Sequence, residues 1–90
     1  MKITIEKADE DVITGRRVRS WPIWAKEVSR FDWSDDSTEE CVLLEGRVTV
    51  ETPDGEKVEF GKGDFVTFPR GLSCTWDIKE PVRKHYNFRD

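Results

Sequence analysis

From Leu72 to Lys79 the chain alternates without a fault. Leu72, Cys74, Trp76 and Ile78 fall on one parity, and Ser73, Thr75, Asp77 and Lys79 on the other. A period of two belongs to a strand with one face in a core and the other in water. Beyond Glu80-Pro81, where a break is expected, Val82, Lys84, Tyr86 and Phe88 alternate with Arg83, His85, Asn87 and Arg89. Cys74 therefore points inward, and Lys84 is the one charged residue on an otherwise apolar face. An unpaired buried ammonium is too costly to keep, so an inward lysine is either paired with a carboxylate or neutral.

Upstream the chain reads as short strands separated by turn chemistry, the spacing of an all-β sandwich or barrel. Ile3 and Ile5 alternate with Lys2, Thr4 and Glu6 in a first strand, and residues 8–15 are polar enough for a loop or a single helical turn. The stretch from Trp24 to Trp33 is strand-like but mixed. Glu39 to Leu44 and Arg47 to Thr52 read as two strands, and Pro53-Asp54-Gly55 closes a hairpin onto Lys57 to Phe60. Gly61-Lys62-Gly63-Asp64 turns the chain again into Phe65 to Phe68. Val48 and Val50 place even positions inside, whereas Glu39, Cys41 and Leu43 place odd ones inside. A glycine bulge at Glu45-Gly46 would reverse the phase.

Ninety residues make one small domain, near the size at which a single core only just offsets chain entropy. The charged fraction of 38% exceeds the hydrophobic fraction of 36%, so much of the strand surface faces solvent. A net charge of −4 argues against nucleic acid or an anionic membrane as partner, since both need a basic face that displaces counterions. The amino-terminal MKITIEKADED lacks the apolar core of a signal peptide, and nowhere do eighteen apolar residues run together. A soluble cytoplasmic protein is expected, with Cys41 and Cys74 as reduced thiols rather than a disulfide.

The most specific stretch is Gly63-DFVTF-Pro69-Arg70-Gly71-Leu72-Ser73-Cys74. It resembles the second motif of the cupin superfamily, small β-barrels of the jelly-roll (RmlC-like) type: a glycine, five residues, Pro-x-Gly, two residues and a metal-binding histidine. Cys74 stands where that histidine would be. The first cupin motif carries His-x-His, a short gap, a glutamate, six residues and a glycine; counted back from Gly46, the glutamate is Glu39. Its histidines fall on Trp33 and Asp35 with a gap of three residues, or on Asp32 and Ser34 with a gap of four. Together with LLEG, CTW and VRKHY, these segments are similar to short single-domain cupins related to the (S)-ureidoglycine aminohydrolase cupin domain and to ethanolamine-utilisation cupins, from about Trp21 onward. The fold implied is a small antiparallel cupin barrel over residues 1–90, with a site where the inward side chains of the two motifs converge.

With both histidines of the first motif gone and a cysteine in the second, no metal ion and no cofactor is expected. What remains on the inner face is Glu39, Cys41, Cys74, Lys84 and Tyr86, with Trp33 and Trp76 as ligand-contacting walls. Each has a plain alternative: cysteines pack as small hydrophobes, tryptophans fill thin cores, and Glu39 could end a strand in solvent. Glu40 and Glu45 read as surface charges, and His85 points outward. Two functions fit. One is a metal-independent enzyme acting on a small polar molecule, nitrogen-containing or carbonyl, with Lys84 and Glu39 as acid/base pair, Cys74 as nucleophile and Tyr86 as hydrogen-bond donor. The other is a cupin that binds or senses a small ligand without turnover. The exposed edge at Ile3 to Ile5 offers a surface on which a second copy could pair to form a homodimer.

Overall fold

The computed structural model describes residues 2–89. Strand β1 (Thr4–Lys7) is followed by helix α1 (Glu10–Gly15), a 3-10 turn at Val18–Ser20, and strands β2 (Ile23–Lys26), β3 (Ser29–Ser34), β4 (Thr38–Glu51), β5 (Lys57–Gly61), β6 (Asp64–Phe68) and β7 (Ser73–Arg89). The strand pairs are antiparallel. This is the all-β fold expected from the alternation, in the small antiparallel jelly-roll form that the resemblance implies.

Two long strands carry it. β4 and β7 pair from Thr38 opposite Arg89 to Glu51 opposite Thr75. At one end the order is β1-β6-β4-β7-β2, and at the other β5 and β3 take the outer places beside β4 and β7. The sheet folds over between these halves. Ile3, Cys41, Leu43, Val66 and Phe68 of one half then join Val48, Val50, Phe60, Trp76 and Ile78 of the other in one buried core.

The fold-over lies where the parity reverses. Pairing shifts register between Leu43 and Val48, around Gly46, whose φ is 101°. A Cβ on Gly46 would lie 2.4 Å from the Pro81 carbonyl oxygen and 2.8 Å from Val82 Cα, so only glycine allows the two strands this close. The bulge expected at Glu45-Gly46 is therefore present, but it bends one continuous strand rather than separating two. The break expected at Glu80-Pro81 is absent. β7 runs through Pro81, whose missing N–H is tolerated because the ladder is already interrupted opposite Gly46.

Residues 8–21 cover the outer face of β4 and β6. Asp9 caps α1, its Oδ1 accepting from Val12 N at 3.0 Å, and the acidic first turn of Glu10 and Asp11 suits the helix dipole. Ala8, Val12, Ile13, Val18 and Trp21 bury Val42 and Phe65, which point away from the barrel interior. Glu40 is buried there too, against the expectation of a surface charge. Arg16 Nη1 reaches its Oε2 at 2.8 Å, Arg89 Nε lies 3.8 Å from the same oxygen, and Asn87 Nδ2 donates to Oε1 at 3.4 Å. β1 closes one edge of the sheet, bonded to β6. No helix among the described residues is long and apolar enough to cross a membrane.

Candidate functional site

β4 and β7 bring a carboxylate and an ammonium together inside the barrel. Glu39 lies opposite Phe88 and Lys84 opposite Leu43, so the lysine stem reaches along the sheet to place Nζ 2.7 Å from Glu39 Oε2. The two side chains are 6% and 2% exposed. β2 sets Trp24 directly across from Lys84, and β3 sets Phe31 across from Trp76. The ammonium lies 4.6 Å from the Trp76 ring centroid and 5.0 Å from that of Trp24, with Phe31 stacked on Trp76 at 6.0 Å. A carboxylate and two indole faces together replace the water that burial removes from the cation.

A second carboxyl group completes the cluster. Asp35, just after β3, is 2% exposed and is held by the Pro-x-Gly corner: its N–H donates to the Leu72 carbonyl at 3.1 Å, and Gly71 N–H donates to its carbonyl at 2.7 Å. Its Oδ1 accepts from Trp33 Nε1 at 2.8 Å. Asp35 Oδ2 and Glu39 Oε1 are both buried without a donor when both groups are ionised. A proton on Asp35 would supply a donor beside the Glu39 carboxyl. Burial, then the Glu39 carboxyl, push Asp35 up to about 7, against the smaller opposing pulls of Trp33 and the Lys84 cation. With one proton between the carboxyls, the Asp35–Glu39–Lys84 cluster is neutral as a whole.

Above it opens a pocket of about 150 Å³ lined by Trp24, Phe31, Trp33, Glu39, Trp76, Lys84, Tyr86 and Phe88. Trp33 and Phe88, 39% and 51% exposed, stand at its rim. The inward face expected for Phe88 thus frays toward solvent at the end of β7.

Five of the residues singled out in the sequence meet in this pocket: Glu39, Lys84, Tyr86, Trp33 and Trp76. The two cysteines do not line it. Both are buried free thiols. Cys41 lies wholly in the core, where burial pushes its thiol up to about 12 despite the Lys84 charge. Cys74 borders a separate, more polar depression with Asp32, Ser34, Glu51 and Thr52, and burial followed by the Asp35 charge pushes it up to about 11. Trp76 Nε1–H is buried without a hydrogen-bond acceptor. Nucleophilic activation needs a thiol shifted the other way.

The site residues that were less visible in the sequence are Asp35, Trp24 and Phe31. Asp35 occupies a histidine slot of the first motif, which is the one signal for it in the sequence. Trp24 and Phe31 belong to strands whose alternation is blurred by exposed residues on both faces.

The donor set does not fit the metal ion that cupin motifs usually hold. Glu39 Oε2 already receives the Lys84 ammonium, which would repel a divalent cation at the same carboxylate. Among the described residues no group of three or more His, Cys, Asp or Glu side chains is arranged around a common point. Lys84 is the cation of this site.

The profile of the EutQ-like cupin domain matches residues 14–86. A DUF861 family protein from Thermotoga maritima is 52% identical and superposes with a TM-score of 0.95 over 98% of this chain and 100% of its own. A putative ethanolamine utilization protein Q from Salmonella typhimurium is 26% identical with a TM-score of 0.64, over 71% of this chain and 51% of that one. The EutQ protein of Clostridium difficile, 22% identical with a TM-score of 0.65, shares the fold over 71% of this chain and 46% of its own. A comparison with curated proteins found no match. The chain belongs to the EutQ-like cupin domain family.

Proposed function

We propose that the pocket binds a small polar molecule and performs metal-independent acid–base chemistry on it. The observation that carries this reading is the buried Lys84–Glu39 pair at the base of an aromatic pocket. A substrate carbonyl oxygen at Lys84 Nζ would be polarised by the ammonium, while a proton released from the neighbouring carbon passes to the Asp35–Glu39 pair. A carboxyl group held in the neutral range beside a pocket suits such transfer, because an acid and its conjugate base are then both available. Tyr86 supplies the only hydroxyl among the lining residues. The similarity of the sequence motifs to the (S)-ureidoglycine aminohydrolase cupin points to a carbonyl compound that also carries nitrogen.

A second reading is binding or sensing without turnover. It is favoured by the thiols, whose raised pKa values leave the site without a nucleophile. Proton NMR in deuterium oxide separates the two. Wild-type protein incubated with a panel of small carbonyl compounds should wash deuterium into positions next to the carbonyl, and Glu39→Gln should not. Binding with no exchange by the wild type would leave the non-catalytic reading. Addition of a second copy to the open edge of β1 belongs to the same proposal and is tested by sedimentation equilibrium.

A further inference from the structure

Resting on the reading of this pocket as a small-molecule site, the polar atoms around it select among ligand classes. Two of the four carboxyl oxygens already hold donors of the protein: Glu39 Oε2 takes Lys84 and Asp35 Oδ1 takes Trp33 Nε1–H, while Asp35 Oδ2 and Glu39 Oε1 are buried. A cationic ligand would meet the Lys84 ammonium, which already holds Glu39 Oε2 at 2.7 Å and occupies the place a cation would take over the Trp24 and Trp76 faces.

An anionic ligand meets the opposite difficulty. Lys84 is already neutralised by Glu39 at 2.7 Å, so a second anion beside it would be buried with only half a counter-charge. What the pocket does offer is donors. One N–H of the ammonium is engaged by Glu39, and its other two have aromatic faces as neighbours. Tyr86 lines the same pocket.

Size and shape follow from the walls. A volume of about 150 Å³ is comparable to a cavity that admits benzene, and six of the eight lining residues are aromatic. Flat walls favour a flat occupant that stacks or meets them edge-on.

We infer that the pocket takes a flat, uncharged molecule of roughly benzene size bearing a carbonyl-type oxygen, which accepts a hydrogen bond from Lys84 while its planar body lies against the aromatic walls. Carboxylates and amidinium or ammonium compounds of the same shape are rejected by charge alone.

Three near-isosteric probes test this: benzamide, benzoate and benzamidinium, titrated into the wild-type protein at about pH 7.5 and followed by calorimetry and by the indole N–H resonances of Trp24, Trp33 and Trp76. Benzamide is expected to bind at least tenfold more tightly than either charged probe and to shift these resonances at saturation. Lys84→Met should reduce benzamide binding at least tenfold. Should that variant not fold, the wild-type resonances decide, because they must move with benzamide and stay in place with the charged probes. Equal or tighter binding of benzoate or benzamidinium overturns the inference, and so does a lack of benzamide binding at millimolar concentration. The deuterium-exchange experiment is independent of these outcomes, so loss of the ligand class and loss of the acid–base reading are told apart.

Discussion

Lys84 Nζ and Glu39 Oε2 meet at 2.7 Å although their backbones are not cross-strand neighbours, since Glu39 faces Phe88 and Lys84 faces Leu43. The lysine spans that offset beneath Trp24 and across Trp76, which dries its stem and leaves the carboxylate as the charge partner of its head. Removing either partner strands the other. Asp35 then decides how much negative charge the lysine must balance.

Lys84→Met should cost on the order of 3–5 kcal/mol at about pH 8, because a buried carboxylate loses its counter-charge. The cost should shrink at about pH 5, where protons can replace the missing ammonium on the Asp35–Glu39 pair. Urea unfolding at both pH values checks this. A change within about 0.5 kcal/mol at both would be the behaviour of an exposed lysine and would remove Lys84 from the site.

Asp35→Asn should flatten part of the pH dependence of stability. The Asp35 pKa rises on folding from 3.8 to about 7, so the folded state binds this proton more tightly than the unfolded chain. Its contribution is fully present below about pH 4 and is lost as pH rises through about 7. Asn keeps a donor for Glu39 and cannot ionise. Relative to Asp35→Asn, the wild type should therefore lose about 1–3 kcal/mol between pH 4 and 8. A difference that stays constant over this range, measured by denaturant unfolding, would contradict the shared proton.

Much of this frame was legible in the sequence and some was not, for local reasons. Leu72, Cys74, Trp76 and Ile78 announce their face because every polar partner on β7 meets solvent or an ion pair at the surface. Gly46 was legible as a reversal of parity between Leu43 and Val48. Glu40 was not, because its burial depends on Arg16, a residue 24 positions away that arrives with α1. The pairing of Glu39 with Asp35 was equally hidden, since the Pro-x-Gly corner positions Asp35 through main-chain bonds that carry no side-chain signal. Lys84 was legible as a problem, a charge on an apolar face, but the approach of the Trp24 indole to it depends on the β2 register.

Gly46→Ala should cost about 2–4 kcal/mol, as a methyl group must displace main-chain atoms of Pro81 and Val82 in addition to adopting a left-handed φ. Gly55→Ala is the control. Its φ of 89° carries the same kind of strain, but a Cβ there meets nothing within 4 Å, so about 1 kcal/mol is expected. Equal costs from thermal or urea unfolding would show that the close approach of β4 and β7 is unimportant.

Both thiols should react with iodoacetamide at about pH 8 more than tenfold slower than free cysteine, and at the ordinary rate in denaturant, because burial holds them protonated and out of reach. A native thiol that reacts faster than free cysteine would restore Cys74 as a nucleophile.

The proton shared between Asp35 and Glu39 next to Lys84 is tested most directly by carbon-13 NMR of the labelled side-chain carboxyl groups across pH 3 to 9. Asp35 should show its main titration step near pH 7, because burial and the neighbouring Glu39 carboxyl hold its proton on. A single ordinary step of Asp35 near pH 4 would contradict the site as described.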